Sequence, residues 1–117
     1  MKYFMRTTPA SQAESAPVTP EMLGAMGAFI EEGFRNGSLV ATGALDPRTT
    51  RIVSSGGKIT VTDGPFTEAK EAIVGWAIVE VGSKDEAIEL SKRFWAIAGD
   101  GSGVVQRIFD PGEGPTG

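Results

Sequence analysis

The segment from Ala72 to Val81 constrains the fold more than any other part of this sequence. Its apolar residues fall at both odd and even positions: Ile73, Val74, Trp76, Ala77, Ile78, Val79 and Val81. Alternate residues of a β-strand point to opposite sides of the sheet, so both faces of this strand need to be buried. Helices that cover one face leave the other open, and we therefore expect a second subunit to cover it.

The segments around this strand alternate between strand and helix patterns. The predicted elements, in chain order, are a strand over residues 2–7, a helix over 19–37, a strand over 39–45, a hairpin over 52–61, the strand over 72–81, a helix over 83–99 and a strand over 104–109. Thr19 is the expected N-cap of the first helix, and Ser83 with Glu86 forms a capping box at the second. Gly37 suits the left-handed conformation that ends a helix. The Met and Phe residues of the first helix recur at helical spacing, which predicts a core-facing side.

This order predicts an α+β domain with a ferredoxin-like βαββαβ arrangement, an inserted hairpin and both helices on one face of the sheet. A chain of 117 residues suits one domain. We expect that domain to span residues 1–110. The Gly- and Pro-rich residues 111–117 are expected to form a flexible C-terminal tail.

Composition excludes several classes of function. The net charge is −4 and the basic residues are scattered, which argues against nucleic acid as a partner. The chain has no histidine and no cysteine, so Ser–His and Cys–His nucleophile pairs and the usual zinc or copper ligands are absent. We therefore expect no metal site and no cofactor. No apolar run approaches the length of a membrane span, and the N-terminus is unlike a signal peptide, so the expected location is cytoplasmic.

The most distinctive motif is the run from Val61 to Glu71, which contains Asp63-Gly64-Pro65-Phe66 and is followed by Gly75-Trp76. With Met1-Lys2-Tyr3 at the start and Gly43-x-Leu45 in the second strand, it resembles the DGPF branch of the YCII-related proteins. The resemblance implies a ferredoxin-like domain that pairs into a dimeric α/β barrel, with a cleft in each subunit near Asp63. Relatives in the wider family include a lactone dehalogenase.

In the YCII branch a histidine and an aspartate are regarded as a possible catalytic pair. Asp63 matches the aspartate, but no residue of this chain matches the histidine, so that pair cannot operate here. Asp63 is the candidate catalytic residue, as a general base at the cleft mouth that acts alone or with a nearby glutamate. The alternative is structural, because an aspartate at the first position of a turn accepts hydrogen bonds from backbone N–H groups.

Four further residues are candidates for ligand binding, each with a structural alternative. Arg6 ends the first strand and could bind a carboxylate, although a surface arginine is the simpler interpretation. Lys70 could attract an anion, or belong to a solvated charged turn. Phe66 could stack on a ligand, or pack in the core or at the dimer interface. Trp76 could line a small-molecule cavity, or pack in the core.

Two functions fit these observations. The first is a homodimeric module that binds or senses a small acidic or lactone-like molecule, favoured by the absence of histidine and cysteine. The second is a small-molecule enzyme, a lyase or isomerase acting on a lactone-type substrate with Asp63 as acid or base. Whether the chain is an enzyme stays open at this point. A structural partner for another protein is a third possibility that the sequence leaves open.

Overall fold

The computed structural model of the chain describes residues 1–8, 18–46, 48–64 and 74–114. Its elements are β1 (Lys2–Thr8), α1 (Pro20–Asn36), β2 (Leu39–Leu45), β3 (Thr50–Ser55), β4 (Lys58–Asp63), β5 (Val74–Glu80), α2 (Lys84–Ala98) and β6 (Ser102–Ile108). The predicted α+β class is confirmed. The segment with Phe66 and Lys70 and residues 115–117 of the predicted tail lie outside the described residues.

The strands form two antiparallel sheets. The larger has the order β2-β5-β1-β6, and β3 pairs with β4 in a separate hairpin. The predicted strand around Trp76 is β5, which lies between β2 and β1 inside the larger sheet. An interior strand is paired along both edges, which suits its high content of β-branched and aromatic residues.

Both helices begin and end where their capping residues predict. The Thr19 hydroxyl accepts a hydrogen bond from Met22 N at 3.1 Å. In the capping box of α2, Ser83 Oγ accepts from Glu86 N at 3.2 Å, and the Glu86 carboxylate accepts from Gly82 N at 2.8 Å. Gly37 follows α1 in the left-handed region, with φ of 82°. These caps satisfy helix-end groups that would otherwise lack partners.

The helices lie on one side of the larger sheet, and the core between them is small. Among the described residues, only Tyr3, Val79 and Ala87 are buried apolar residues, and Met5, Leu39, Val81, Leu90 and Val105 pack against them half-buried. We call this side of the sheet the inner face. No residue of α1 is buried, although its apolar stripe was expected to face a core. Neither helix of the described chain has the length and apolar character needed to cross a membrane.

The opposite side of the larger sheet, which we call the outer face, carries the remaining alternate residues. Strand register places Arg6 directly across from Trp76 on β5 and from Val104 on β6, while Phe4 lies across from Ile78. No helix of the described chain packs on this face. The outer face is therefore mostly apolar, and no helix of the described residues covers it.

Candidate functional site

A cavity of about 260 Å³ separates the helices from the inner face of the sheet. Its helix side is large and apolar, and its sheet side includes several small residues. The helices contribute Met26, Phe29, Ile30, Leu90, Phe94 and Trp95, and the strands contribute Met5, Thr7, Thr42, Gly75, Ala77, Val79 and Gly103. Small residues face the helices at the centre of the sheet, which leaves space between them and the apolar side chains of α1. The gap explains why the apolar stripe of α1 stays half-exposed.

Two glycines shape the end of the cavity near Trp95. A Cβ atom on Gly103 would lie 2.7 Å from the carbonyl oxygen of Arg6 and 3.2 Å from Trp95 Cζ2. A Cβ on Gly101 would lie 2.6 Å from Trp95 Cζ3. The indole of Trp95 therefore packs directly on this backbone, and Phe94 meets it edge-on with ring centroids 4.9 Å apart. These contacts fix the aromatic wall of the cavity.

The hydroxyl of Thr7 holds the strand next to this wall. Thr7 Oγ1 accepts a hydrogen bond from Gly75 N at 2.9 Å and lies 3.3 Å from Gly75 O, to which it can donate. Backbone pairing between β1 and β5 ends at Arg6 and Trp76. The Thr7 hydroxyl joins the two strands at the next residue pair, Thr7 and Gly75. Thr42 donates from its hydroxyl to Trp76 O at 2.8 Å on the other side of β5. The hydroxyls of Thr7 and Thr42 therefore both make hydrogen bonds to the backbone of β5.

An ion pair joins the two helices beside the cavity. Arg93 of α2 donates to the Glu32 carboxylate of α1 at 2.9 Å, and its guanidinium lies 5.0 Å from the ring centroid of Phe29. Both charged side chains are about half exposed, at 52% and 49%, and a pair this accessible adds little stability. The arrangement nevertheless places a cation at the rim of an apolar cavity, where a ligand carboxylate could compete with Glu32.

The residues selected from the sequence divide into three groups. Arg6 and Trp76 border the cavity, but the register places both on the outer face, so we infer that their backbones form the contact. Asp63 ends the hairpin, is exposed, and accepts a hydrogen bond from Thr50 Oγ1 at 2.9 Å. It is not among the residues that line the cavity. Phe66 and Lys70 lie outside the described residues.

Sequence reasoning missed the residues that line the helix side of the cavity. Phe29, Phe94 and Trp95 follow ordinary helical spacing, and that pattern is the same for a core and for a cavity wall. Arg93 gave no signal, because its partner Glu32 is distant in the sequence. The one available signal was the set of small residues at inward positions of the strands, Gly75 and Ala77 among them.

The charges near the hairpin are paired with each other. Arg48 donates to both carboxylate oxygens of Asp46, at 3.0 Å from Nε and 2.6 Å from Nη2. The side-chain hydrogen bonds, with one from the Arg48 backbone, lower the pKa of Asp46 to about 2. No group of three or more potential metal ligands occurs in the described chain.

The fold and this cavity define a small α+β domain with room for a ligand between its helices and its sheet. The sequence model of the YCII-related domain matches residues 1–109, and the chain belongs to this family. The resemblance noted from the motif around Asp63 is confirmed. An uncharacterised protein of Rhizobium meliloti (strain 1021) is 29% identical over 115 residues, which cover 94% of this chain and 90% of that protein.

Proposed function

We propose that this protein is a homodimeric module that binds a small organic molecule in the cavity between its helices and its sheet. The strand order, with both helices on one face, supports a ferredoxin-like domain as the unit of the dimer. The observation that carries the proposal is the cavity itself, which takes the place of a core under α1. Ligand pockets are typically concave and mostly apolar, with a few polar groups.

The apolar surface of the cavity supports an occupant. The cavity is lined largely by apolar side chains and opens to solvent, so without a ligand that apolar surface is exposed to water. The buried core of the described chain is small. A bound molecule would supply the missing contacts.

The lining indicates the chemistry of the ligand. Aromatic and thioether side chains form the helix side, so the body of the ligand would be apolar. Ser91 also lines the cavity, and its hydroxyl makes no hydrogen bond within the described chain. Arg93 at the rim supplies the positive charge that a carboxylate would need. These features favour a small acidic molecule with a hydrophobic body.

The outer face supports the dimer. Phe4, Trp76 and Ile78 lie side by side on it, and Val104 is 43% exposed. An apolar sheet face of this extent marks an interaction surface. A second copy provides the same face, and a twofold axis brings the two together.

Native mass spectrometry of freshly purified protein tests both parts. We expect a dimer that carries a co-purified small molecule. In Ala77→Leu, the larger side chain projects from the sheet into the cavity, and we expect the dimer to persist without the bound mass. Ala28→Leu makes the same change at an exposed position of α1 that does not line the cavity, and the bound mass should remain. Retention of the ligand by Ala77→Leu would refute the assignment of the cavity.

A further inference from the structure

The hairpin of β3 and β4 stands apart from the rest of the described chain. Its strands contact each other extensively, and no helix or strand of the larger sheet packs on them to a comparable extent. Every residue of both strands is exposed. A lone two-stranded hairpin is only marginally stable in water, so this one needs a surface to pack on.

The two faces of the hairpin differ in character. Strand register places Ile52 across from Val61, Ser54 across from Ile59, and Thr50 across from Asp63 on one face. Ile52, Ile59 and Val61 are 67%, 67% and 62% exposed. The opposite face carries Arg51, Val53, Ser55, Lys58, Thr60 and Thr62. The first face, which we call the arm face, is thus an apolar stripe with one carboxylate, Asp63, at its end.

The outer face of the larger sheet has the complementary character. Arg6 lies between Trp76 and Val104 in an otherwise apolar part of that face. It makes no ion pair within the described chain. The other charged residues on this face, Lys2 and Glu80, lie opposite each other at the far end of β1. If a second copy covers the centre of this face, the Arg6 guanidinium loses water and needs a carboxylate partner.

We propose that the hairpin is an arm that packs its apolar face on the outer face of a second copy, where Asp63 pairs with Arg6 of the partner subunit. This inference rests on the proposed homodimer and adds the contact that holds it together. Each copy has one apolar stripe with an acid and one apolar sheet face with a base. A twofold axis satisfies both sets at once, since each arm reaches the other copy's sheet.

The area of the surfaces supports a role for the arm. From strand spacings of about 4.8 Å and rises of about 3.4 Å per residue, the outer face has a projected area of about 450 Å². By the same estimate, the arm face adds about 200 Å². Stable interfaces bury about 800 Å² per partner. The arm face therefore adds substantially to the surface that a second copy can cover.

Charge reversal tests the proposal directly. In Arg6→Asp both members of the proposed pair are acidic, and in Asp63→Arg both are basic. We expect each variant alone to dimerise at least about tenfold more weakly than wild type. An equimolar mixture should recover the dimer, because in the mixed pair each arm meets a sheet of opposite charge. Sedimentation velocity measures all three samples, and circular dichroism verifies that each variant is folded.

Thr62→Arg is the matched control. It adds a positive charge next to Asp63 in the sequence but on the opposite face of the hairpin, and the dimer should keep its wild-type affinity. Because the chain has no cysteine, Ile59→Cys and Thr60→Cys can each carry one environment-sensitive fluorophore. On dimer formation, the label at Ile59 should shift to the blue and the label at Thr60 should not.

The outcomes separate this inference from the proposed function. A wild-type protein that is monomeric at micromolar concentration refutes both the homodimer and the arm. A dimer that survives both charge reversals, or single variants that do not recover on mixing, refutes the arm and leaves the dimer standing. A blue shift of the Ile59 label in the monomer would mean that the arm face packs within its own chain, and would also refute the proposal.

Discussion

Replacing Gly103 by alanine should destabilise the protein, although Gly103 does not have a positive φ. The added Cβ would lie 2.7 Å from the carbonyl oxygen of Arg6, which belongs to the backbone of the neighbouring strand. A flexible side chain could move away from such a contact, but a paired strand cannot move without disturbing its hydrogen bonds. Trp95 blocks the other direction, with Cζ2 at 3.2 Å. Overpacking of this kind typically costs about 1–3 kcal/mol.

The same change in α1 should have the opposite sign. Nothing lies within 4 Å of a Cβ on Gly24 or Gly27, and neither glycine has a positive φ. Alanine inside a helix is favoured over glycine by about 0.5–1 kcal/mol. Urea denaturation monitored by circular dichroism compares Gly103→Ala and Gly24→Ala with wild type at equal protein concentration. We expect a lower unfolding midpoint for Gly103→Ala and a higher one for Gly24→Ala. A midpoint for Gly103→Ala equal to or above wild type would refute the packing described around Trp95.

Three further predictions concern the helix caps and the Asp46–Arg48 pair. Ser83→Ala should lower the free energy of unfolding by about 1 kcal/mol in urea denaturation, because the Glu86 N–H loses its acceptor. Ser83→Thr keeps a hydroxyl at the cap and should retain most of this contribution of about 1 kcal/mol. Equal losses in the two variants would contradict the cap. Gly37→Ala should cost about 1 kcal/mol by the same assay, since φ there is 82°; an unchanged midpoint would argue against the left-handed end of α1. Asp46 should titrate at about 2 by NMR, and its pKa should rise in Arg48→Ala but stay below the ordinary 3.8, because the backbone N–H of residue 48 still donates to the carboxylate. Its folded pKa is depressed, so its contribution to stability is present above the ordinary pKa and is lost as the pH falls through about 2; identical titrations of the two proteins would exclude the ion pair.

Local features of the fold could be predicted because neighbouring residues determine them. Thr19 and Ser83 start the helices, and Gly37 ends the first, as their side chains and backbone freedom require. The hairpin turn follows from Gly56 and Gly57, both of which have positive φ. The α+β class follows from the order of these elements.

The cavity could not be predicted, because its cause is a match between residues far apart in the sequence. The stripe of α1 predicts an apolar neighbour, and it does face the sheet. Whether that neighbour is a side chain or a ligand depends on the size of the strand residues opposite. Gly75 and Ala77 leave the space, and their position opposite the helices is known only once the strand register is known.

Asp63 shows the same limit for a single residue. The motif around it predicted a cleft residue, and its chemical role stays a prediction. In the described chain its carboxylate is exposed and accepts a hydrogen bond from Thr50. It lies at the end of a hairpin whose two strands contact each other far more than they contact any other element of the described chain. A general base needs to touch the reacting molecule, and within one chain Asp63 does not line the cavity.

Three apolar surfaces of this protein lack a sufficient partner within the described chain: the stripe of α1, the outer face of the sheet, and the arm face of the hairpin. Each pattern in the sequence specifies that a face is to be covered, and none specifies by what. Geometry separates the three. The first lines a cavity suited to a small molecule, whereas the other two are broad and carry opposite charges at Arg6 and at Asp63. A ligand can fill the first without affecting the others, so ligand release and dimer dissociation should be separable in Ala77→Leu and Asp63→Arg. Loss of the ligand in both variants would instead mean that the arm helps to close the cavity.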